Sequence, residues 1–274
     1  MHNVKRIVKD RISDALFTYR RNAEARFLKG HARILIYHAV ENSNPAEDKM
    51  GLAVTPSAFH EQMAYLKENG FRVTDLSGLV QGVMQKIPIQ EKSVVITFDD
   101  GYKSVLTNAL PVLKEFGFPA TVFINVHFIE RKLQESGYWR NWKTLGWEEV
   151  KHLSREGISM GSHALTHQRL TRVNPGSLYD EIVRSREIIE EKINNRIDTF
   201  CYPHGAFNRK VIEILKDNNF HCACSGIPGT ADMHSDIFAL RRTEITAFDD
   251  TRLKFMKKLL GCYDWIRYAR WNVA

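Results

Sequence analysis

Short apolar runs with little alternation recur along the chain, separated by stretches in which apolar residues return every three or four positions. The first pattern suits strands buried on both faces, the second amphipathic helices. Strands are expected at 32–38 (A-R-I-L-I-Y-H), 71–73, 94–98, 119–124, 158–162, 199–202, 220–224 and 238–240. Helices are expected at 4–28, from Pro56 to Lys67, at 76–82, 106–116 and 147–153, after Pro175-Gly176, at 207–215 and at 251–260. Gly70, Gly117 and Gly157 stand where helices should stop, and Pro111 should kink or divide its helix. Residues 41–55 and 226–236 read as loops, and 127–145 as a long aromatic and charged insertion.

Strand and helix alternate about seven times, which calls for parallel strands covered by helices. Polar residues follow several different strands: His38, Asp99-Asp100, His163 and Pro203-His204. A barrel gathers all its strand ends at one mouth, whereas an open sheet gathers fewer at its switch point. The expected fold is therefore α/β, a distorted (β/α) barrel. Three regions follow: a basic amphipathic N-terminal arm at 1–33, the barrel at 34–250, and a basic aromatic C-terminal helix and tail at 251–274.

Charge sharpens that division. The net charge is +7, yet residues 1–33 carry +6 and residues 251–274 carry +5, leaving 34–250 at −4. A nucleic-acid-binding domain would want its basic patch on the folded body, so no nucleic-acid partner is expected. The arms suit an anionic surface as readily as they suit packing on protein. No run of eighteen apolar residues occurs and the N-terminus lacks a signal-peptide pattern, so a cytoplasmic location is expected, with contact at the inner face of a membrane through the basic arms. Cys201, Cys222, Cys224 and Cys262 lack a zinc or disulfide spacing and read as buried free thiols.

The stretch V-V-I-T-F-D-D-G-Y at 94–102 is a strand ending in two adjacent carboxylates. Acids there are costly unless a metal, a base or hydrogen bonds hold them; the plain alternative is a solvated Asp-Gly turn. His163 and His167, in H-x-x-x-H, converge either on one helix face or within a tight loop. Two imidazoles and one carboxylate make a sound site for zinc or another divalent ion. His60, His127, His152 and His221 read as ordinary residues.

T-F-D-D-G-Y at 97–102, S-H-A-L-T-H at 162–167 and F-C-Y-P-H-G at 200–205 together resemble the polysaccharide deacetylase family, the NodB-homology domains of carbohydrate esterase family 4. I-L-I-Y-H-A-V at 34–40 and L-G-W-E-E-V at 145–150 resemble its poly-N-acetylglucosamine deacetylase branch. The resemblance covers about 34–245. It implies a seven-stranded distorted barrel and one divalent ion, Zn2+, on Asp100, His163 and His167, with Asp99 as general base. It also implies that the backbone N–H of His204 serves the oxyanion, and that His38 is the general acid that protonates the leaving amine. A buried structural histidine is the alternative for His38.

Two departures from the family pattern stand out. Cys201 occupies the place of an arginine that steadies the base, so Arg241 or Arg242 is expected to do that work. The family's L-x-H histidine is missing, and His234 lacks the leucine context. Trp147 is expected as a wall of the mouth, with a plain core aromatic as the alternative, Tyr102 is expected at the rim, and Phe128, Tyr138, Trp139 and Trp142 offer aromatic surface for a sugar or a partner. The expected activity is metal-dependent hydrolytic N-deacetylation of an N-acetylated sugar or glycan precursor, free or lipid-linked, in surface-polysaccharide synthesis. Rival readings are a sugar deformylase, a non-carbohydrate amidohydrolase, and an inactive glycan-binding or scaffold protein.

Overall fold

The computed structural model describes residues 11–19, 28–44, 48–130 and 142–265. Among the described residues ten strands carry the architecture: β1 (Ala32–Tyr37), β2 (Ala39–Val40), β3 (Ala53–Val54), β4 (Arg72–Val73), β5 (Ser93–Phe98), β6 (Thr121–Ile124), β7 (Ser159–Ser162), β8 (Thr199–Cys201), β9 (Cys222–Pro228) and β10 (Leu240–Glu244). Seven of them close a parallel ring, in the order β1-β10-β9-β8-β7-β6-β5 and back to β1. The expected seven-stranded barrel is what forms.

The ring is uneven. β5 pairs with β1 along its whole length, from Ala32↔Ser93 to Tyr37↔Phe98. On its other side, β4 takes the lower half (Arg72↔Ser93) and β6 only the top (Thr97↔Thr121, Phe98↔Val122). β7 and β8 share a single register pair, Ser162↔Phe200. Gly161 permits a close approach within the wall, since a Cβ there would lie 2.5 Å from the Phe123 ring.

Period-two alternation sorts each strand between lumen and helical jacket. On β1 and β5, Leu35, Tyr37, Val94, Ile96 and Phe98 join the large cluster with the covering helices. Ala32, Ile34 and Val95 join a smaller one with Phe123, Cys201, Cys222 and Cys224, plugged by Leu76, Leu79, Val80 and Val83 of helix Leu76–Met84. On this alternation Thr97 and Asp99 share the lumenal face with Val95. The polar layer of the site thus rests on an apolar plug.

The helices begin where their caps dictate. Thr55 accepts from Ala58 N, Asn125 from Phe128 N, Asn208 from Val211 N and Thr251 from Lys254 N. Pro111 divides its helix as expected: Val105–Ala109 is a wider π-type turn and Leu110–Phe116 is α-helical. Removing the amide donor at 111 is the physical reason. The long helix after Pro175 carries a similar π turn at Asp180–Arg184.

Two expectations shift. The segment 41–55 is not all loop, because β2 and β3 pair in a small parallel sheet. The last strand is Leu240–Glu244, two residues beyond the expected start and longer. Within 4–28, helix is described at 11–19, where Phe17 and Ser13 are buried and Ile12 and Tyr19 are exposed. Docking decides that face: Phe17 lies beneath Lys257, and Asp14 pairs with Lys257. The C-terminal helix Arg252–Leu259 buries Phe255 and Leu259 in the main core. Its basic side chains pair with Glu61, Glu68, Asp250, Asp14 and Asp249. All four cysteines are free and buried.

Candidate metal centre and active-site cavity

The strand ends bring Asp99 and Asp100 (after β5), His163 and His167 (after β7), His204 (after β8), and His38 (after β1) to one cavity of about 180 Å³. Met50, Leu52, Tyr202 and Glu244 complete its lining. All six residues expected from the sequence are therefore together.

Asp100 leaves the strand with φ 76°, a left-handed conformation costly for a non-glycine residue, and Gly101 follows at φ 78°. The turn redirects the Asp100 carboxylate to the two imidazoles. His167 Nε2 stands 3.2 Å and His163 Nε2 3.4 Å from Asp100 Oδ1. Neither Asp100 oxygen, both fully buried, has a hydrogen-bond partner.

The tautomer of His163 explains this. Its Nδ1 lies 2.8 Å from the carbonyl oxygen of Cys201, which can only accept, so Nδ1 carries the proton. In the neutral ring Nε2 then offers a lone pair, facing the Asp100 oxygen. Lone pairs converging in a buried site are well matched to a cation between them. Burial pushes the pKa of His163 down, but Asp100 and Asp99 outweigh it and hold the ring above its usual value. Asp100 is held well below the carboxylate range: burial raises it, and the His167 and His163 rings more than offset that.

The donor atoms of Asp100, His163 and His167 lie within 4.8 Å of one another, which fits a divalent ion held by two imidazoles and a carboxylate. Asp99, His163 and Cys201 form a second such cluster. It fits an ion poorly, because Arg242 occupies both Asp99 oxygens and burial pushes the Cys201 thiol far up, keeping it protonated.

The H-x-x-x-H pair converges from a loop, not a helix, with Ala164 at φ 61° and His167 at φ 60°. Two side chains buckle that loop. Asn125 Nδ2 donates to the carbonyls of His163 and Ala164, at 2.9 and 3.1 Å. From the other side Glu181 accepts from Leu165 N (3.2 Å), Thr166 N (3.0 Å) and the Thr166 hydroxyl. Neither residue was singled out from the sequence. Glu181 had a signal, since it falls on the apolar stripe Leu178, Ile182, Ser185, Ile189, where a solvated carboxylate does not belong.

Asp99 is a different carboxylate. Arg242 Nη1 donates to Oδ1 and Nη2 to Oδ2, each at 2.8 Å. Arg242 is itself fixed by Thr97 Oγ1 (3.0 Å), the Ser225 carbonyl (2.9 Å) and Cys201 Sγ (2.9 Å). Of the two expected arginines, Arg242 makes this pair, and the smaller Cys201 leaves it room. Burial raises the Asp99 pKa, but the Arg242 charge and hydrogen bonds bring it below the usual value, so Asp99 is ionised.

His38 is buried, and its Nδ1 has no hydrogen-bond partner. His204 stands at φ 56° in a tight turn whose bonds run from Gly205 N to Tyr202 O and from Ala206 N to Pro203 O, so the turn does not consume the His204 amide. The His204 ring packs on His167, and desolvation together with that imidazole lowers its pKa to about 4.

Other candidates fall elsewhere. The Tyr102 and Trp142 rings meet at a tilt, centroids 4.9 Å apart, and are buried; Trp147 packs on the main core, and Phe128 is buried beside His167. Tyr138 and Trp139 lie outside the described residues. His234 sits in an exposed turn on Asp232. His60, His152 and His221 make ordinary contacts with Glu115, Glu156 and Asp198.

Residues 86–223 match the family profile described as polysaccharide deacetylase. The Bacillus subtilis (strain 168) protein YxkH, named for that family, is 28% identical over 214 residues, covering 78% of this chain and 71% of its own length. The poly-beta-1,6-N-acetyl-D-glucosamine N-deacetylase of Escherichia coli (strain K12) is 39% identical over 218 residues, covering 66% of this chain. The alignment spans only 31% of that enzyme. Among solved structures, the Streptococcus pyogenes deacetylase PplD in complex with acetate aligns with a TM-score of 0.71 at 22% identity, over 79% of this chain and 93% of its own, a likeness of fold.

Proposed function

The chain belongs to the polysaccharide deacetylase family, and from that premise we propose that it hydrolyses the amide of an N-acetylated sugar or glycan precursor, releasing acetate and a free amine. One observation carries the proposal. An ionised carboxylate, Asp99, stands clamped by Arg242 beside a separate Asp100–His163–His167 cluster that wants a cation.

A divalent ion on Asp100, His163 and His167, zinc by its donor set, would supply Lewis-acid polarisation at the acyl carbonyl and at water. The protein's own groups divide the remaining work. Asp99 takes the proton from the attacking water, and the Arg242 fork holds its carboxylate in one orientation while it does so. The His204 N–H donates to the oxygen on which negative charge develops as the carbonyl carbon becomes tetrahedral. His38, at the end of the strand paired with that of Asp99, gives a proton to the departing amine nitrogen. Protonated amine leaves more readily than amide anion, so the acid is needed to complete the reaction.

The Arg242 clamp removes one motive for the inactive-scaffold reading, the missing arginine at Cys201; the absent L-x-H histidine is the other. A specific observation favours one rival: a cavity of about 180 Å³ suits a compact non-carbohydrate amide. Surface-polysaccharide precursors, lipid-linked substrates and contact with the inner face of a membrane belong to the proposal on the strength of the +6 charge over 1–33. The described basic residues of the C-terminal helix are already engaged in ion pairs and add nothing to it.

The test is amine release from N-acetyl and N-formyl amino sugars, free, oligomeric and lipid-linked, with small cyclic and linear amides alongside. The protein is stripped with chelator and then reloaded with zinc. Release from N-acetyl sugars that depends on metal return supports the proposal. Turnover confined to the small amides transfers the assignment to the rival.

A further inference from the structure

The cavity at the metal centre is too small for more than the reacting end of a glycan. On the reading above, the rest of such a substrate must lie across the rim. Met50, 40% exposed, is part of the cavity lining, and Phe248, 66% exposed, packs on Gly51 between the lining residues Met50 and Leu52.

Phe248 is not a loosely hung side chain. Its ring lies against Gly51, where an added Cβ would come within 2.8 Å of the ring. Gly51 has φ 69°, a conformation glycine adopts freely, so backbone takes the place of a side chain under the ring. Ala247 N donates to Gly51 O at 2.8 Å, tying the Phe248 segment to the loop that supplies Met50 and Leu52 to the cavity. Asp48 shapes that loop by accepting from Leu52 N and Ala53 N, both at 2.8 Å.

Beneath Phe248 the chain is anchored by buried charges. Asp249 Oδ2 accepts from Thr246 N and Oγ1, both at 2.9 Å, and Lys258 Nζ lies 3.3 Å away. Gln62 Nε2 donates to the Asp249 carbonyl at 2.8 Å, and its Oε1 accepts from the Tyr37 hydroxyl. Burying an ion pair costs desolvation and returns fixed geometry. Here the geometry fixed is that of an exposed phenyl ring braced against the Gly51 backbone.

The geometry points to Phe248, with Met50 beside it, as a stacking platform for the sugar residue next to the one that enters the cavity. This deepens the proposed N-deacetylase activity and rests on it. A pyranose ring carries axial C–H groups on a face, and a supported aromatic ring presents a matching flat apolar surface with negative π-density. Preorganisation of the ring spares the ordering cost that a free side chain would impose on binding. The chain would therefore prefer oligomers of N-acetylhexosamine to the single sugar.

The experiment compares wild type, Phe248→Ala and Phe248→Trp on an N-acetylhexosamine monosaccharide and on a tetramer. Phe248→Ala is expected to lower kcat/KM for the tetramer about tenfold, equivalent to about 1.4 kcal/mol. It should leave the monosaccharide unchanged, and Phe248→Trp should restore tetramer turnover. A loss of equal size on both substrates, or none on the tetramer, overturns the platform.

A second readout does not need catalysis. Fluorescence of Phe248→Trp, taken as the difference from wild type, should shift on titration with the tetramer and not with the monosaccharide. No shift overturns the platform. Loss of vesicle binding or of dimerisation in Phe248→Ala, with tetramer kinetics intact, would also overturn it by assigning the face to lipid or to a second copy. If wild type releases no amine from any sugar, the deacetylase reading falls, while the fluorescence titration still decides the platform.

Discussion

Arg242 and Asp99, 143 residues apart in the chain, meet as a two-pronged pair inside the barrel, each nitrogen–oxygen distance 2.8 Å. Both side chains are almost wholly buried. The pair delivers a charged, oriented carboxylate to the floor of the cavity, where an unpaired acid would take up a proton instead.

Removing Arg242 therefore does two kinds of damage. Arg242→Ala leaves a buried charge uncompensated, and the chain should lose about 3–5 kcal/mol of stability. Arg242→Lys keeps a positive charge but not the fork, and should fold while losing much of kcat. Zinc affinity should stay within a few-fold of wild type in the lysine variant, because the ion's ligands are untouched. Denaturant midpoints, metal titration and amine release on the two variants check all three. A lysine variant with full kcat would contradict the positioning role.

His38→Ala should behave in the opposite way. The ring has no partner at Nδ1, so folding stability should change little. Turnover should fall roughly 10²–10⁴-fold, the usual range for a lost general acid. A large drop in melting temperature with modest loss of rate would instead mark a structural histidine.

Glu181 tests the preorganisation of the metal loop. Glu181→Gln retains one acceptor oxygen but loses the charge that receives Leu165 N, Thr166 N and the Thr166 hydroxyl together. Zinc affinity should fall about 10–100-fold, as for other partners that orient metal ligands. Competition with a chromophoric chelator measures it directly, and unchanged affinity would remove Glu181 from the site.

The cysteines give a prediction at alkaline pH. Burial raises Cys222 well above its ordinary value, and Cys224 to about 12. In the folded protein these thiols stay protonated, while in the unfolded chain they ionise near pH 9. The unfolded state then binds fewer protons, so stability falls as pH rises above about 9, by up to about 1.4 kcal/mol per unit for each thiol. Alkylation at pH 8 should label them only after denaturation. Rapid labelling of the native protein, or a stability that rises between pH 9 and 11, would contradict this.

The alternation of strands and helices and the six site residues were legible because each rests on local signals: apolar runs, caps, and polar residues just past strand ends. Arg242 was legible only as one of two candidates. L-R-R-T-E reads as a surface segment, and only the distant Asp99 makes a buried arginine stable there. That is also why the last strand was expected to end at Leu240, although it continues to Glu244. β2 and β3, two residues each, are too short to register as a pattern. Asn125 and Glu181 were missed because a buckle across a loop has no period. Glu181 still broke the apolar stripe of its helix, whereas Asn125 reads as an ordinary helix cap.

The division of labour between the adjacent carboxylates is the centre of this account. The most direct test measures zinc binding and amine release together on wild type, Asp99→Asn and Asp100→Asn, each shown folded by its melting transition. Asp99→Asn is expected to bind zinc about as tightly as wild type while releasing amine at least a hundredfold more slowly. Asp100→Asn should lose the metal and, with it, the activity. An Asp99→Asn protein that turns over at the wild-type rate, or an Asp100→Asn protein that keeps its zinc, would contradict it.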